Sequence, residues 1–244
     1  MTSAKPAKRR GGQNVADVHG RLRTAILYGD LAPAASVSQA RLSADFGAGR
    51  TPLREALRLL QREGLVIAEP NRQIRIATLS ADDFEELSIA RLALEAVAIR
   101  ITVPTLTTAD IAELEGTIAQ MDHYHKADDQ AGVRGPHRAF HATLVAAAGP
   151  RVRSQIAELA DHAERYRVRF DAFGSWDDRR AEHRAILDTA AAGDPDQAAD
   201  RLAEHYARTA ALVFDALDPD HDLSRLHTTI KTVAPHAQAA LKKD

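Results

Sequence analysis

Gly49-Arg50-Thr51-Pro52-Leu53-Arg54-Glu55-Ala56-Leu57 is the stretch on which the fold turns. Thr51 can cap a helix with its hydroxyl, and Pro52 suits a first helical position, where a missing N–H costs nothing. Leu53, Leu57 and Leu60 then recur at helical spacing up to Gly64, so one face is apolar and the other carries Arg54 and Arg58. Upstream, Ser38 is placed to cap a short helix over about 39–46, which Gly47 ends. Before it, Val15, Val18, Leu22 and Ile26 mark a helix within Gln13–Tyr28 that Gly29 stops, with Pro33 in the turn beyond.

Downstream of Gly64 the apolar period changes from helical to two. Leu65-Val66-Ile67-Ala68 and Gln73-Ile74-Arg75-Ile76 read as two strands around a Pro70-Asn71 turn. Three helices followed by a hairpin is the order of a winged helix-turn-helix, expected over 13–79, with residues 1–12 a disordered basic arm. A helix of this kind touches base edges with side chains near its N-terminus. Arg50 stands just outside that end and Arg54 one turn in. Arginine can engage guanine O6 and N7 together, and the free helix end accepts a phosphate. Arg41 on the second helix, Thr51, and Arg72 at the wing tip complete the expected DNA-facing set. Any one of these arginines, taken singly, reads equally well as a solvated surface cation.

Charge is divided along the chain. Residues 1–78 hold 13 Lys and Arg against 6 Asp and Glu, whereas the remainder holds 19 against 28, although the whole chain is only −2. A basic N-terminal domain and an acidic C-terminal one imply different partners, the first a polyanion. The sequence has no cysteine, which excludes disulfides and thiolate metal sites and fits a reducing, cytoplasmic setting. Its longest apolar runs, Leu144–Ala148 and Ala210–Phe214, are far short of the ~20 residues a membrane span needs. The basic N-terminus lacks the apolar segment of a secretory signal.

From Ser80 onward only helical patterns occur. Ser80 with Asp83 and Thr107 with Asp110 have capping-box spacing. Helices are expected over about 82–102, 108–127, 134–148, 152–171, 177–192 and 195–216, broken at Pro104, Gly149-Pro150, Gly174 and Gly193. With short connections these pack as an all-α antiparallel bundle over 80–216. Residues 217–244, with Pro219 and Pro235, are expected to be a loosely attached tail.

Among 11 histidines, four are suggestively placed. His137 and His141 are i and i+4, the spacing by which a helix offers two imidazoles to one metal. His183 and His205 lie on later helices, each preceded by Glu. From the residues alone, a metal centre and incidental core or surface histidines both remain open.

Two resemblances sharpen this picture. Gln13–Ser80 resembles the winged helix of the GntR family in Arg21-Leu22-Arg23-Thr24-Ala25-Ile26, in Arg50 to Leu57, and in Glu63-Gly64-Leu65-Val66. That likeness implies base and phosphate contacts for Arg50 and Arg54, with Thr51 and the wing on the backbone. Pro70-Asn71-Arg72-Gln73 lacks the two glycines usual in the wing turn, but Asn tolerates positive φ. Gly49 replaces the hydroxyl residue usual before the Arg. Residues from about 82 to 215 resemble the FCD ligand-binding domain of the FadR-like subgroup, in Arg91-Leu92-Ala93-Leu94-Glu95, His137 to Leu144, Glu182 to Leu187, and Glu204-His205. The resemblance implies a divalent metal held by one Asp and three His. His141, His183 and His205 fill the His positions, and His137 stands where the Asp is expected. Either four neutral imidazoles bind, which favours Zn²⁺ or Ni²⁺ over Mn²⁺, or His137 does not ligate and a water takes that place.

The same likeness implies a small carboxylate effector near the metal. Arg91 is the first choice for its cation, with a salt bridge to a neighbouring acid the alternative, and Arg165 and Arg169 are further candidates. The expectation is a homodimeric regulator of transcription, a repressor that binds an operator in duplex DNA, with an organic-acid effector and no enzymatic activity. A metal-dependent hydrolase in the C-terminal half, or a bundle that only dimerises, are the competing readings.

Overall fold

In a computed structural model, residues 14–170 and 174–238 are described, and the chain divides into two compact units, 1–79 and 80–244. The basic arm expected over residues 1–12 lies outside the described residues.

In the first unit, α1 (Val15–Leu27) is capped by Asn14, whose side chain accepts from the Asp17 N–H at 2.7 Å. A short strand β1 (Ser36–Ser38) leads into α2 (Gln39–Asp45), where Ser38 caps as expected by accepting from the Arg41 N–H. Then come α3 (Arg50–Arg62), β2 (Val66–Glu69) and β3 (Gln73–Ile76). The sheet has the order β1-β3-β2, all antiparallel, with Ile74 facing Val37 on one side and Ala68 on the other. The expected hairpin is thus two-thirds of a sheet. Three residues of β1 are too few to show an alternating pattern, and only their pairing with β3 makes them a strand. Ile74 and Ile76, two apart and on one face, close over Val18, Leu22, Ile26, Leu42, Leu53 and Leu60 to form the core of this unit.

The start of α3 differs from expectation. Gly49 is the N-cap, Arg50 is the first helical residue, and Thr51 makes no cap, so the cap bond assigned to Thr51 is withdrawn. Pro52 still costs nothing, because the first intrahelical bond runs from the Leu53 N–H to the Gly49 carbonyl at 3.0 Å. At the wing, Asn71 adopts φ 58°, ψ 30°, the left-handed conformation its side chain makes tolerable.

The second unit is built from α4 (Ala81–Thr102), α5 (Thr108–Lys126), α6 (Gln130–Leu144), α7 (Pro150–Arg169), α8 (Trp176–Ala191), α9 (Pro195–Leu217) and α10 (Ser224–Val233). Thr107 and Asp110 form the full capping box of α5, whereas at α4 only the Ser80 half forms. Asp83 instead accepts from the Tyr166 hydroxyl at 2.5 Å. α6 begins four residues before the expected start. Asp129 caps it through the Gly132 N–H, and burial of Val133 and Phe140 offsets the one bond lost to Pro136 inside it.

α4 is the central element, packing against α7, α9 and α10. The main core joins Ala96 and Ile99 of α4 to Leu114, Ile118, Met121, Phe140, Leu144, Ile186, Leu187 and Leu202. The described residues after 217 are not a loose tail. α10 docks on α4 through Leu226 and Ile230, which are 0% and 4% exposed, and through Glu85. That buried carboxylate accepts from Arg225 at 2.5 and 2.9 Å and from the Leu226 N–H at 3.3 Å. The flanking prolines concealed this helix. Its Leu226-Ile230 spacing is its sequence signal, too brief to stand out alone.

Candidate metal centre and nucleic-acid interface

Three helices bring the four histidines together. His137 and His141 come from one face of α6, His183 from α8 and His205 from α9. One nitrogen from each lies within 4.8 Å of the others. Two ligands on one zinc lie at most ~4 Å apart, so a small inward movement of the rings would satisfy an ion. Three rings are held from behind. The His183 Nδ1 meets the Arg179 carbonyl at 2.7 Å, the His205 Nδ1 meets Glu182 at 2.7 Å, and the His141 Nδ1 meets the Tyr206 hydroxyl at 3.2 Å. A carbonyl and a carboxylate can only accept, so the first two rings donate from Nδ1. Tyr206 spends its own proton on Glu95, so His141 donates to it as well. Each Nε2 is left as a bare lone pair, and those of His141 and His183 are buried without any hydrogen-bond partner. This is the arrangement in which metal-binding histidines are held by an outer shell.

Electrostatics agree. Burial, reinforced by the Arg91 and Arg167 guanidinium groups, pulls His205 down to about 3. His183 is likewise lowered to about 3 by burial and by its neighbour His205. Burial also drives His137 and His141 well below the ordinary range, aided by Arg167 at the first and His205 at the second. All four are neutral at pH 7, the form that binds a metal. The cluster can hold a divalent ion.

Beside the cluster is a cavity of about 20 Å³, room for roughly one water, bordered by Ser88, Arg91, Arg167, Tyr206 and Thr209 on its polar side and by Phe84, Leu92 and Leu226 on its apolar side. Arg91 reaches it while bound to Glu95 at 2.9 Å and lying 4.2 Å above the Tyr206 ring. Burial works against its charge, but Tyr206 and Glu95 hold its pKa raised. The salt bridge read as an alternative for Arg91 therefore forms, and the side chain still lines the cavity.

Arg165 and Arg169 do not line it. Arg165 is buried elsewhere on α7 and Arg169 is exposed against Phe170. Arg167 takes the position, one turn beyond Ala163, because a two-residue step along a helix rotates a side chain some 200°. The clue was the i,i+4 phase with Ala163, invisible until the face of α7 that turns inward was known.

In the first unit, Leu53, Ala56, Leu57 and Leu60 bury one side of α3, and Arg50, Thr51 and Arg54 stand on its exposed side. Arg58 continues that row another turn on, paired with Glu55 at 3.0 Å, and was not among the expected contacts. Arg41 is exposed on α2, with Asp45 at 3.4 Å. The side chain of Arg72 lies outside the described residues. Glu63, at the far end of α3, accepts from His19 at 2.5 Å and from Arg23 at 2.7 Å, which locks the helix to α1. Gly49 supplies no side-chain cap, so the first-turn N–H groups stay open to an anion.

Comparison with known proteins places both units. Residues 14–76 match the model of the gntR family of bacterial regulatory proteins, and residues 86–208 match the FCD domain. A regulator of the helix-turn-helix type in an unstable DNA locus of Streptomyces ambofaciens is 28% identical over 218 residues, 87% of this chain and 88% of that one. The repressor GlaR of Escherichia coli is 26% identical over 208 residues, covering 80% and 94%. YdhC of Bacillus subtilis matches over a shorter stretch, 27% identical over 128 residues, and the match spans 57% of that protein. Among solved structures, E. coli McbR/YncC superposes with a TM-score of 0.73 over 82% of this chain and 97% of that one at 20% identity. A GntR regulator from Rhodococcus superposes at 0.70, covering 83% and 98%, with 24% identity. These likenesses show the fold. The families matched are regulators rather than enzymes, and among the described residues no helix is long and apolar enough to cross a membrane. The chain belongs to the gntR family of bacterial transcription regulators, with a winged helix-turn-helix joined to an FCD domain.

Proposed function

We propose that this protein is a homodimeric repressor of the FadR-like kind, whose operator affinity is set by a small carboxylate metabolite bound beside a metal in the FCD domain. One observation carries the reading: four neutral imidazoles converge, the inward nitrogens of His141 and His183 buried without a hydrogen-bond partner, next to a cavity that holds a guanidinium. His137, His141, His183 and His205 would hold the ion. An all-nitrogen set suits Zn²⁺ or Ni²⁺. When bound, the metal would supply Lewis-acid affinity for a carboxylate oxygen, provided its shell extends beyond the four imidazoles. With four neutral ligands the ion keeps its full charge, which strengthens the demand for an anion there. Arg91 and Arg167 add cations on the cavity side, and the apolar wall of Phe84, Leu92 and Leu226 suits a short carbon chain. At its present size the cavity admits a metabolite only if side chains yield.

On the DNA side, Arg50 and Arg54 read bases and phosphates, Thr51 and the open first turn of α3 take a phosphate, and Arg41 and Arg72 add backbone contacts. Val97 and Ile101, one turn apart on α4 and 56% and 49% exposed, form the apolar stripe that a second copy would cover. Two linked half-sites make operator affinity sensitive to a small rotation between subunits, and effector binding supplies that bias.

The test is selection of a preferred duplex from a random pool by the intact protein, followed by titration with Arg54→Ala and with added carboxylates. Loss of a base-reading arginine costs roughly 10- to 100-fold at the selected site. Failure of the intact protein to enrich any sequence at low salt overturns the reading.

A further inference from the structure

We infer that Tyr206 is a positioning residue that couples the effector cavity to the metal centre, an inference that rests on the metal reading above. The three rings with a defined Nδ1 acceptor are not held alike. His183 leans on a backbone carbonyl of its own helix. His205 leans on Glu182, itself paired with Arg208 at 2.7 Å. Neither support borders the cavity. His141 leans on Tyr206, whose ring does. A change in the cavity therefore has a hydrogen-bonded path to His141, whereas His183 and His205 feel it only through the field of the cavity's guanidinium groups.

The path is a closed hydrogen-bond chain. Arg91 donates from Nε to Glu95, which is 1% exposed. Glu95 accepts the Tyr206 proton, and the tyrosine oxygen, its proton committed, accepts from the His141 Nδ1. The chain is satisfied in only one direction. Were His141 to accept from Tyr206, the tyrosine proton would turn away from Glu95, and two acceptors would face each other in a dry interior. Arg91 lies against the Tyr206 ring as well as binding Glu95, so it touches two successive members of the chain. An anion entering the cavity competes with Glu95 for that guanidinium. Withdrawal of Arg91 frees Glu95 and shifts the tyrosine oxygen on which His141 depends, which changes the hold on the metal. Linkage makes the effect reciprocal, so a bound metal must alter the cavity's affinity for the anion.

The experiment measures zinc affinity of the full chain by competition with a fluorescent chelator, and the visible spectrum of the Co²⁺-loaded protein. Tyr206→Phe keeps the ring and removes only the hydroxyl, so the fold is retained; the melting curve of the metal-free variant checks this. Zinc affinity is expected to fall about 10- to 100-fold, with a shifted Co²⁺ band, which a purely structural role would leave in place. Arg91→Gln, or Arg91→Lys should the first fail to fold, is combined with Tyr206→Phe. The two effects on zinc affinity are expected to depart from additivity by at least about threefold. Wild-type zinc affinity and an unchanged Co²⁺ spectrum in Tyr206→Phe, or strictly additive effects, overturn the coupling role alone. A wild-type chain that binds neither ion overturns the metal reading beneath it.

Discussion

Leu226→Ala separates two pictures of the C-terminal segment sharply. If residues 217–244 formed a loose tail, the change would fall within about 0.5 kcal/mol of neutral, as surface substitutions do. In the structure Leu226 is fully buried between α10 and α4 and forms part of the cavity wall. Removing three carbons forfeits about 2.4 kcal/mol of transfer free energy, at ~0.8 kcal/mol per methylene. A rigid site would add a cavity term and approach 5 kcal/mol. α10 is a ten-residue helix at the edge of the unit and can settle inward, so the lower part of that range is expected, about 2.5–3.5 kcal/mol. For a unit of this size that lowers the melting temperature by roughly 5–12 °C. The assay is urea denaturation followed by circular dichroism, where the midpoint should fall with an unchanged slope, alongside hydrogen exchange of residues 224–233. A midpoint within error of wild type, with α10 amides exchanging freely in both proteins, would refute the docked-helix account.

Three further outcomes follow from the same geometry. With His183 and His205 held near 3 in the folded protein against about 6.5 when unfolded, the unfolded chain binds more protons between those values. Stability of the metal-free protein should therefore be flat above pH 6.5 and decline as pH falls toward 3, by up to about tenfold in the folding equilibrium per pH unit for each histidine; a stability profile level from pH 7 to 4 contradicts this. Zinc at about 100 times its dissociation constant should stabilise the FCD unit by ~2.7 kcal/mol and raise its melting temperature by roughly 5–10 °C. His183→Ala should abolish that rise, and an undiminished zinc shift in this variant removes His183 from the ligand set. At the wing, Asn71→Gly should be close to neutral, whereas Asn71→Val should cost at least about 1–2 kcal/mol because a β-branched side chain resists positive φ; equal urea midpoints for the two variants would argue against the left-handed turn.

Features that act over a few residues were legible in the sequence by itself. Leucine spacing in Leu53-Leu57-Leu60, the Ser38 and Thr107 caps, the change to period two after Gly64, and the i,i+4 pair His137 and His141 all arise from the geometry of one element. Those local rules delivered most of the helices, the winged order and the first two candidate ligands, while the resemblance to the FCD domain supplied the full set with His183 and His205. Tertiary structure decided what depends on how elements turn toward one another. Three-residue β1 becomes a strand only by pairing with β3, α10 holds only by burying Leu226 and clasping Glu85, and Arg167 rather than Arg165 or Arg169 meets the cavity because of the face α7 turns inward. The outer supports of the histidines belong to the same class. Tyr206 adjoins His205 in the chain yet serves His141, 65 residues away, and only packing brings that acceptor within hydrogen-bonding reach.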